Sequence, residues 1–219
     1  MAEPFTTLIS HAVPLLRDNI DTDAISPGSR PQGLGVKTEF SEKGTSRLAE
    51  ELFANWRYDQ SGQERHDFVF NLPQFRSAKI LIAGANFGCG SSRESAVWML
   101  KEWGIRCIVA PSIAEIFTNN CFANGLLPVT LPETIVRELA DEAQPGAPAA
   151  LFRVDLSANS LVTPSGRTVG ISLPEFRRRA LLEGLDELAV TLQDQNQIAG
   201  YLVRARREWP WAYQLKALL

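Results

Sequence analysis

The sequence predicts an α/β protein with a parallel β-sheet at its centre. Three apolar stretches of strand length lie at residues 79–84, 105–110 and 126–131, and segments with helical periodicity separate them. This alternation of strands and helices favours parallel strands joined by right-handed crossovers. The length of 219 residues suits one large domain, or one domain with an appendage.

The connecting segments carry helix signals of different kinds. The first has apolar residues at helical spacing, and Gly104 is placed to end that helix. The second opens with Ser112 and Glu115, a capping-box pattern that predicts a helix reaching about Asn124. Further helices are predicted near residues 46–56, 132–143, 174–183 and 195–208, and further β-structure at 151–156 and 159–172.

Composition excludes several classes of function. The chain has 22 Lys and Arg against 25 Asp and Glu, a formal net charge of −3, which does not favour nucleic acid or an anionic membrane as partner. No apolar run approaches the roughly 20 residues that span a bilayer. The N-terminal residues lack the order of a signal peptide, so we expect a cytoplasmic location.

The cysteines and histidines are too few and too scattered for a metal site made by this chain alone. There are three cysteines, Cys89, Cys107 and Cys121, without C-x-x-C spacing, and two histidines. We therefore expect no metal ligands here. Cys107 and Cys121 are interpreted as core residues, and Cys89 as a small packed residue or, alternatively, a redox-sensitive thiol.

The domain prediction is a single domain over residues 1–203 followed by a Trp-rich tail over 204–219. Trp209 and Trp211 in the tail are candidates for an interface, because exposed tryptophans are otherwise unfavourable.

The most informative segment is the glycine loop, residues 86–94 (NFGCGSSRE), between a predicted buried strand and a helix. Ligands of open parallel sheets bind outside the carboxyl ends of the strands, where this loop lies. Gly90 allows close approach of the backbone to a ligand, Ser91 and Ser92 offer hydroxyls, and Arg93 suits a carboxylate. Alternatively, Ser91 and Glu94 form a capping box and Ser91 has no role beyond capping the helix.

The glycine loop resembles the signature of the 3-isopropylmalate dehydratase small subunit and is similar to the corresponding element of the aconitase swivel domain. The resemblance extends over most of the chain in a consistent order, through residues 13–15, 19–23, 53–57, 110–117, 124–129, 184–186 and 191–193. It implies an aconitase-like swivel domain, in which additional strands in a layered or barrel-like arrangement and peripheral helices surround the parallel core.

The resemblance also implies an activity. The family interconverts 2-isopropylmalate and 3-isopropylmalate by dehydration and rehydration in leucine biosynthesis. A large subunit is expected to carry a [4Fe-4S] cluster, and none is expected on this chain. The implied substrate is a small dicarboxylate hydroxy acid.

Site residues follow from the resemblance position by position. Ser91 is expected to act as the base on the carbon-bound proton, and Ser92 to assist by hydrogen bonding. Arg93 and Gly90 are expected to bind substrate. Asp23 matches an active-site aspartate of the aconitase pattern; alternatively it is an Asx-turn residue before Ser26.

Two departures from the family pattern leave other functions open. Ser95 stands where the family usually has His, and residues 24–30 differ from the usual apolar segment. Since residues 24–35 are expected to shape the side-chain pocket, a paralogue hydrating a smaller dicarboxylate, of the methylmaleate or dimethylmaleate type, is one alternative. A non-catalytic carboxylate-binding or assembly module is another.

Overall fold

Two four-stranded sheets organise the chain in the computed structural model, which describes residues 3–28, 47–144 and 150–213. In chain order the strands are β1 (Thr7–Ser10), β2 (Ala12–Leu15), β3 (Ile80–Ala83), β4 (Cys107–Ala110), β5 (Leu127–Thr130), β6 (Phe152–Asp155), β7 (Ser160–Val162) and β8 (Thr168–Gly170). The central sheet has the order β2–β3–β4–β5 and is parallel throughout. The α/β prediction with a parallel core is confirmed.

The central sheet is buried on both faces, which explains its nearly continuous apolar strands. Alternate residues of β3 point to opposite sides, so that Ile80 and Ile82 belong to one buried cluster and Leu81 and Ala83 to the other. Strand β2 lies at the edge, where Pro14 is tolerated because its missing N–H is not needed by a further strand.

The second sheet is antiparallel, with the order β1–β6–β7–β8. Buried Phe152 and Val154 of β6 belong to the same apolar cluster as Ile80 and Ile82. Strands β7 and β8 form a hairpin in which Gly166 has a φ of 88°, a conformation that glycine adopts readily. These strands supply the additional β-structure that the resemblance implies.

The described residues also form ten α-helices, which lie between and after the strands. They are α1 (Thr22–Ile25), α2 (Arg47–Glu51), α3 (Ala54–Arg57), α4 (Glu94–Trp103), α5 (Glu115–Ala123), α6 (Glu133–Glu142), α7 (Glu175–Glu183), α8 (Glu187–Gln193), α9 (Gln195–Glu208) and α10 (Pro210–Tyr213). Helix α4 ends at Gly104, whose φ is 110°, as the sequence predicts.

Two helix predictions were wrong in detail. The predicted helix at 46–56 is broken between α2 and α3, because Phe53 has a left-handed backbone (φ 51°) and its N–H donates to the carbonyl of Ile25. The capping box at Ser112 does not form: α5 begins at Glu115, and the Ser112 hydroxyl accepts the N–H of Asn86 at 2.7 Å. In both cases a tertiary contact outweighs the local signal.

The C-terminal helices carry much exposed apolar surface. Trp209 and Trp211 are 44% and 76% exposed. Helix α9 runs through residue 203, and the division into a domain and a tail stays a prediction. No helix within the described ranges has both the length and the apolarity needed to cross a bilayer.

Candidate active site

The glycine loop is held between two neighbouring segments by backbone hydrogen bonds. On one side, Gly88 donates to the Ile20 carbonyl at 2.7 Å and Thr22 donates to the Cys89 carbonyl at 2.9 Å. On the other side, Ala114 donates to the Phe87 carbonyl at 2.9 Å. The loop therefore continues the parallel order of the sheet beyond the strands and has a defined conformation.

Gly88 is required by both the backbone and the packing of this loop. Its φ is 74°, and a Cβ added there would lie 2.2 Å from a ring carbon of Phe117. Phe117 is 2% exposed and packs edge-on against Phe87 at a centroid distance of 5.4 Å. The ring has little room to move, so only glycine fits.

Replacing Gly88 with alanine is expected to lower the free energy of unfolding by about 3 kcal/mol, from left-handed backbone strain together with overpacking. Chemical denaturation of the isolated chain measures this loss. Gly170→Ala is the matched control, because a Cβ there meets no atom within 4 Å. Equal effects of the two substitutions would show that the Gly88 contact with Phe117 is unimportant.

Ser91 and Ser92 precede helix α4 and do not cap it. The helix begins at Glu94, its N-cap residue is Arg93, and no side chain makes the capping bond. Glu94 instead accepts a hydrogen bond from Asn124 at 3.0 Å. The capping-box interpretation of Ser91 was therefore wrong. Both serines are exposed, and their hydroxyls have no hydrogen-bond partner among the described residues.

Arg93 is anchored through one nitrogen of its guanidinium. Its Nη1 is ion-paired with the carboxylate of Asp23 and donates to the Ser26 carbonyl at 3.2 Å. Within the described part of the chain, Nε and Nη2 make no hydrogen bond. Since these two atoms form one edge of the planar fork, that edge is free to bind a carboxylate in bidentate fashion.

Asp23 orients Arg93 and does not form an Asx turn. The N-cap of α1 is Asp21, whose carboxylate accepts the N–H of Ala24 at 2.7 Å. Asp23 lies in the first turn of this short helix with a half-exposed carboxylate on Arg93. The Asx-turn alternative for Asp23 was wrong, because its carboxylate accepts no backbone N–H among the described residues and the N–H of Ile25 donates to the Asp21 carbonyl.

Gly90 brings the loop close to α1. Its φ is 88°, and a Cβ added there would lie 3.3 Å from the Cβ of Asp21 and 3.8 Å from the hydroxyl of Thr22. The residues predicted for the site, Ser91, Ser92, Arg93, Gly90 and Asp23, are thus brought together where the loop meets α1.

Sequence reasoning did not anticipate two hydrogen bonds between α1 and the loop. The Thr22 hydroxyl donates to the Ser91 carbonyl at 2.8 Å, and the hydroxyls of Ser26 and Ser95 are 2.9 Å apart. Ser26 and Ser95 both belong to the departures from the family pattern, and the structure places them in contact. Of the segment 24–35, residues 29–35 lie outside the described residues.

The cysteines divide as the sequence predicts. Cys107 and Cys121 are fully buried, and burial raises the pKa of both thiols far above its ordinary value, so they are unreactive packing residues. Cys89 in the glycine loop is partly exposed. Among the described residues, no three His, Cys, Asp or Glu side chains are grouped so that they could hold a metal ion.

A cavity of about 240 Å³ lies elsewhere, between α5, α7 and α8. Its lining includes Phe122, Phe176, Arg177 and Leu185, and it shares no residue with the glycine loop. None of the residues predicted for the active site lines this cavity.

Fold and site together define a class of protein. Residues 2–134 match the aconitase C-terminal domain family. The chain resembles, with a TM-score of 0.58 and 26% identity, the crystal structure of 3-isopropylmalate dehydratase from Methanocaldococcus jannaschii, over 89% of this chain and 98% of that one.

Relatives at higher identity narrow the class. The 3-isopropylmalate dehydratase small subunit of Rhodospirillum centenum is 46% identical over 215 residues, which is 96% of this chain and 98% of that protein. That of Cupriavidus necator is 46% identical over 213 residues, again 96% and 98%. The chain belongs to the family of 3-isopropylmalate dehydratase small subunits.

Proposed function

We propose that this chain is the small subunit of a hydro-lyase that interconverts 2-isopropylmalate and 3-isopropylmalate, a step of leucine biosynthesis, and that it supplies the base and a substrate-binding arginine. The observation that carries the proposal is the grouping of exposed Ser91 and Ser92 with Arg93, whose guanidinium Asp23 and the Ser26 carbonyl orient. The names of the relatives at 46% identity support the choice of substrate.

In the proposed dehydration, Ser91 takes the carbon-bound proton while the carbon–carbon double bond forms and the hydroxyl on the adjacent carbon leaves. Rehydration with the opposite placement of the hydroxyl completes the isomerisation. A serine is a poor base unless its alkoxide is stabilised. The positive charge of Arg93, two residues away, and the N–H groups at the start of α4 supply that stabilisation.

Arg93 holds a substrate carboxylate through the free edge of its guanidinium, and Ser92 adds a hydrogen bond. Asp23 keeps the guanidinium in one orientation, which reduces the entropy lost when substrate binds. Gly90 has no side chain, so the substrate can approach the backbone closely at this point of the loop.

The leaving hydroxyl needs an activator, and the described residues contain no group of His, Cys, Asp or Glu side chains that could hold a metal ion for this purpose. We assign that role to a [4Fe-4S] cluster on a large subunit, where iron supplies Lewis-acid chemistry. The relatives' designation as small subunits supports a large subunit as partner. We expect the assembled enzyme to be cytoplasmic, to require both subunits for activity, and to bind neither nucleic acid nor membrane.

The proposal is tested by mixing this chain with its co-encoded large subunit anaerobically, after the cluster has been rebuilt. Isopropylmalate and methyl-substituted malates are compared by kcat/KM. Preference for isopropylmalate supports the proposed function. Preference for a smaller acid contradicts the leucine-pathway role and favours a paralogous hydratase, and no turnover of either acid favours a non-catalytic module.

Replacing Arg93 with lysine is expected to raise KM by roughly 10- to 100-fold, because an ammonium cannot bind Asp23 and a substrate carboxylate in fork geometry. Steady-state kinetics of the assembled enzyme measure the change. Arg153→Lys, on the antiparallel sheet, is the control and should leave KM unchanged. A wild-type KM for Arg93→Lys would exclude a bidentate contact with substrate.

A further inference from the structure

Thr22 is a buried residue that holds the two carbonyls on either side of Gly90. Thr22 is 1% exposed, and its hydroxyl donates to the Ser91 carbonyl at 2.8 Å. Its backbone N–H donates to the Cys89 carbonyl at 2.9 Å. One residue of α1 therefore fixes the Cys89–Gly90 and Ser91–Ser92 peptide groups, which lie before and after the Gly90–Ser91 pair.

These two hydrogen bonds matter because the backbone torsions of Gly90 are otherwise weakly restricted. Gly90 has no side chain and adopts a φ of 88°, so its backbone torsions are limited less than those of other residues. The Ser91 hydroxyl has no hydrogen-bond partner among the described residues. The position of that hydroxyl is consequently set by the Ser91 backbone, whose carbonyl accepts from Thr22 and from the N–H of Arg93 at 2.8 Å.

Substrate binding through Arg93 depends on different atoms of the same helix. The guanidinium is held by the Asp23 carboxylate and the Ser26 carbonyl, and Ser26 is tied to Ser95 through their hydroxyls. Loss of the Thr22 hydroxyl leaves these contacts in place. The two functions of the loop, proton removal and carboxylate binding, are thus supported by separate contacts of α1.

We infer that Thr22 is a positioning residue for Ser91, acting through the Ser91 carbonyl; this rests on the proposed role of Ser91 as the base. A misplacement of about 1 Å in a reacting group costs up to roughly 10²-fold in rate. Loss of the Thr22 hydroxyl should therefore lower kcat much more than it changes KM.

The test uses Thr22→Val, which keeps the branched shape, Thr22→Ala as a second variant without the hydroxyl, and Thr22→Ser, which restores it. In the full chain assembled with the large subunit, Thr22→Val and Thr22→Ala are expected to lower kcat by about 10- to 100-fold with KM within about twofold. Thr22→Ser is expected to recover most of kcat. Hydrogen exchange of peptides covering residues 85–95 should be faster in the valine and alanine variants than in the serine variant.

Several outcomes would overturn the inference. A wild-type kcat for Thr22→Val, or an equal loss in Thr22→Ser, would show that the hydroxyl does not position Ser91. A rise in KM as large as the fall in kcat, with unchanged hydrogen exchange, would contradict it as well. Ser91→Ala, assayed in parallel, distinguishes a failure of the proposed function from a failure of the inference about Thr22. If Ser91→Ala stays active, Ser91 is not the base and the inference fails with it. If Ser91→Ala is inactive while Thr22→Val is fully active, the inference alone fails.

Discussion

Replacing Ser91 with alanine is expected to lower kcat of the assembled enzyme by roughly 10²- to 10⁴-fold, the range that a positioned general base contributes. The hydroxyl is exposed and unpaired among the described residues, so its removal leaves no buried group without a partner. KM should change little, because the carboxylate contact of Arg93 remains. Steady-state dehydration kinetics, with Tm as a check on folding, measure the effect.

Two further serine variants make the result specific to Ser91. Ser92→Ala removes the neighbouring hydroxyl, which we expect to assist and not to take the proton, so its loss in kcat should be smaller. Ser157→Ala removes an exposed hydroxyl in the turn after β6 and should have no effect. A Ser92→Ala variant as slow as Ser91→Ala would assign the base to the pair and not to Ser91.

Replacing Arg57 with methionine is expected to lower the free energy of unfolding by about 3–5 kcal/mol, because several buried oxygens lose their donor at a cost of about 1–3 kcal/mol each. Arg57 is 2% exposed and stacks on the ring of Trp103 at 4.3 Å. Burial lowers the pKa of its guanidinium, partly offset by Tyr58 and Glu64. It donates to four acceptors: the carbonyls of Ala49, Glu50 and Leu52, and the side-chain oxygen of Asn71.

Arg137→Met is the matched control for this loss. Arg137 is 66% exposed and pairs with Glu133 one helical turn away, an interaction worth about 0.3–0.5 kcal/mol. Urea denaturation of the isolated chain should therefore separate the two variants clearly. A loss at Arg57 no greater than that at Arg137 would contradict a structural role for the buried network.

The Arg57 network also supports the active site indirectly. Arg57 binds the carbonyls at the end of α2 and lies in α3, and between these helices the N–H of Phe53 donates to the Ile25 carbonyl at 3.0 Å. That bond fixes the end of α1, which carries Thr22 and Asp23. A milder Arg57→Lys variant is therefore informative about activity as well as stability.

Elements whose burial or termination leaves a clear pattern in the sequence could be predicted from it. Strands β3, β4 and β5 are buried on both faces and therefore form continuous apolar runs, and Gly104 and Gly184 end their helices with positive φ. The edge strand β2 lies outside the alternation of strands and helices that indicates β3 to β5, so the sequence did not show that it joins their sheet. The two predicted capping boxes are not formed, because contacts distant in sequence set the start of each helix.

In the candidate site too, the local motif could be predicted from the sequence and the contacts between distant residues could not. Gly90, Ser91, Ser92 and Arg93 are adjacent in the chain, so one motif indicates all four. Their partners on α1 are distant: Thr22 and Ser91, like Ser26 and Ser95, are 69 residues apart. No spacing rule connects such positions, and the resemblance alone pointed to Asp23.

The central claim is that Ser91 removes the carbon-bound proton of the substrate. Its most direct test is a single-turnover experiment with the assembled enzyme and 3-isopropylmalate that carries deuterium at the carbon losing the proton. The wild-type enzyme should break the carbon–deuterium bond and form the unsaturated acid, while Ser91→Ala should bind the same substrate and leave the bond intact. Cleavage by Ser91→Ala at the wild-type rate would contradict the account.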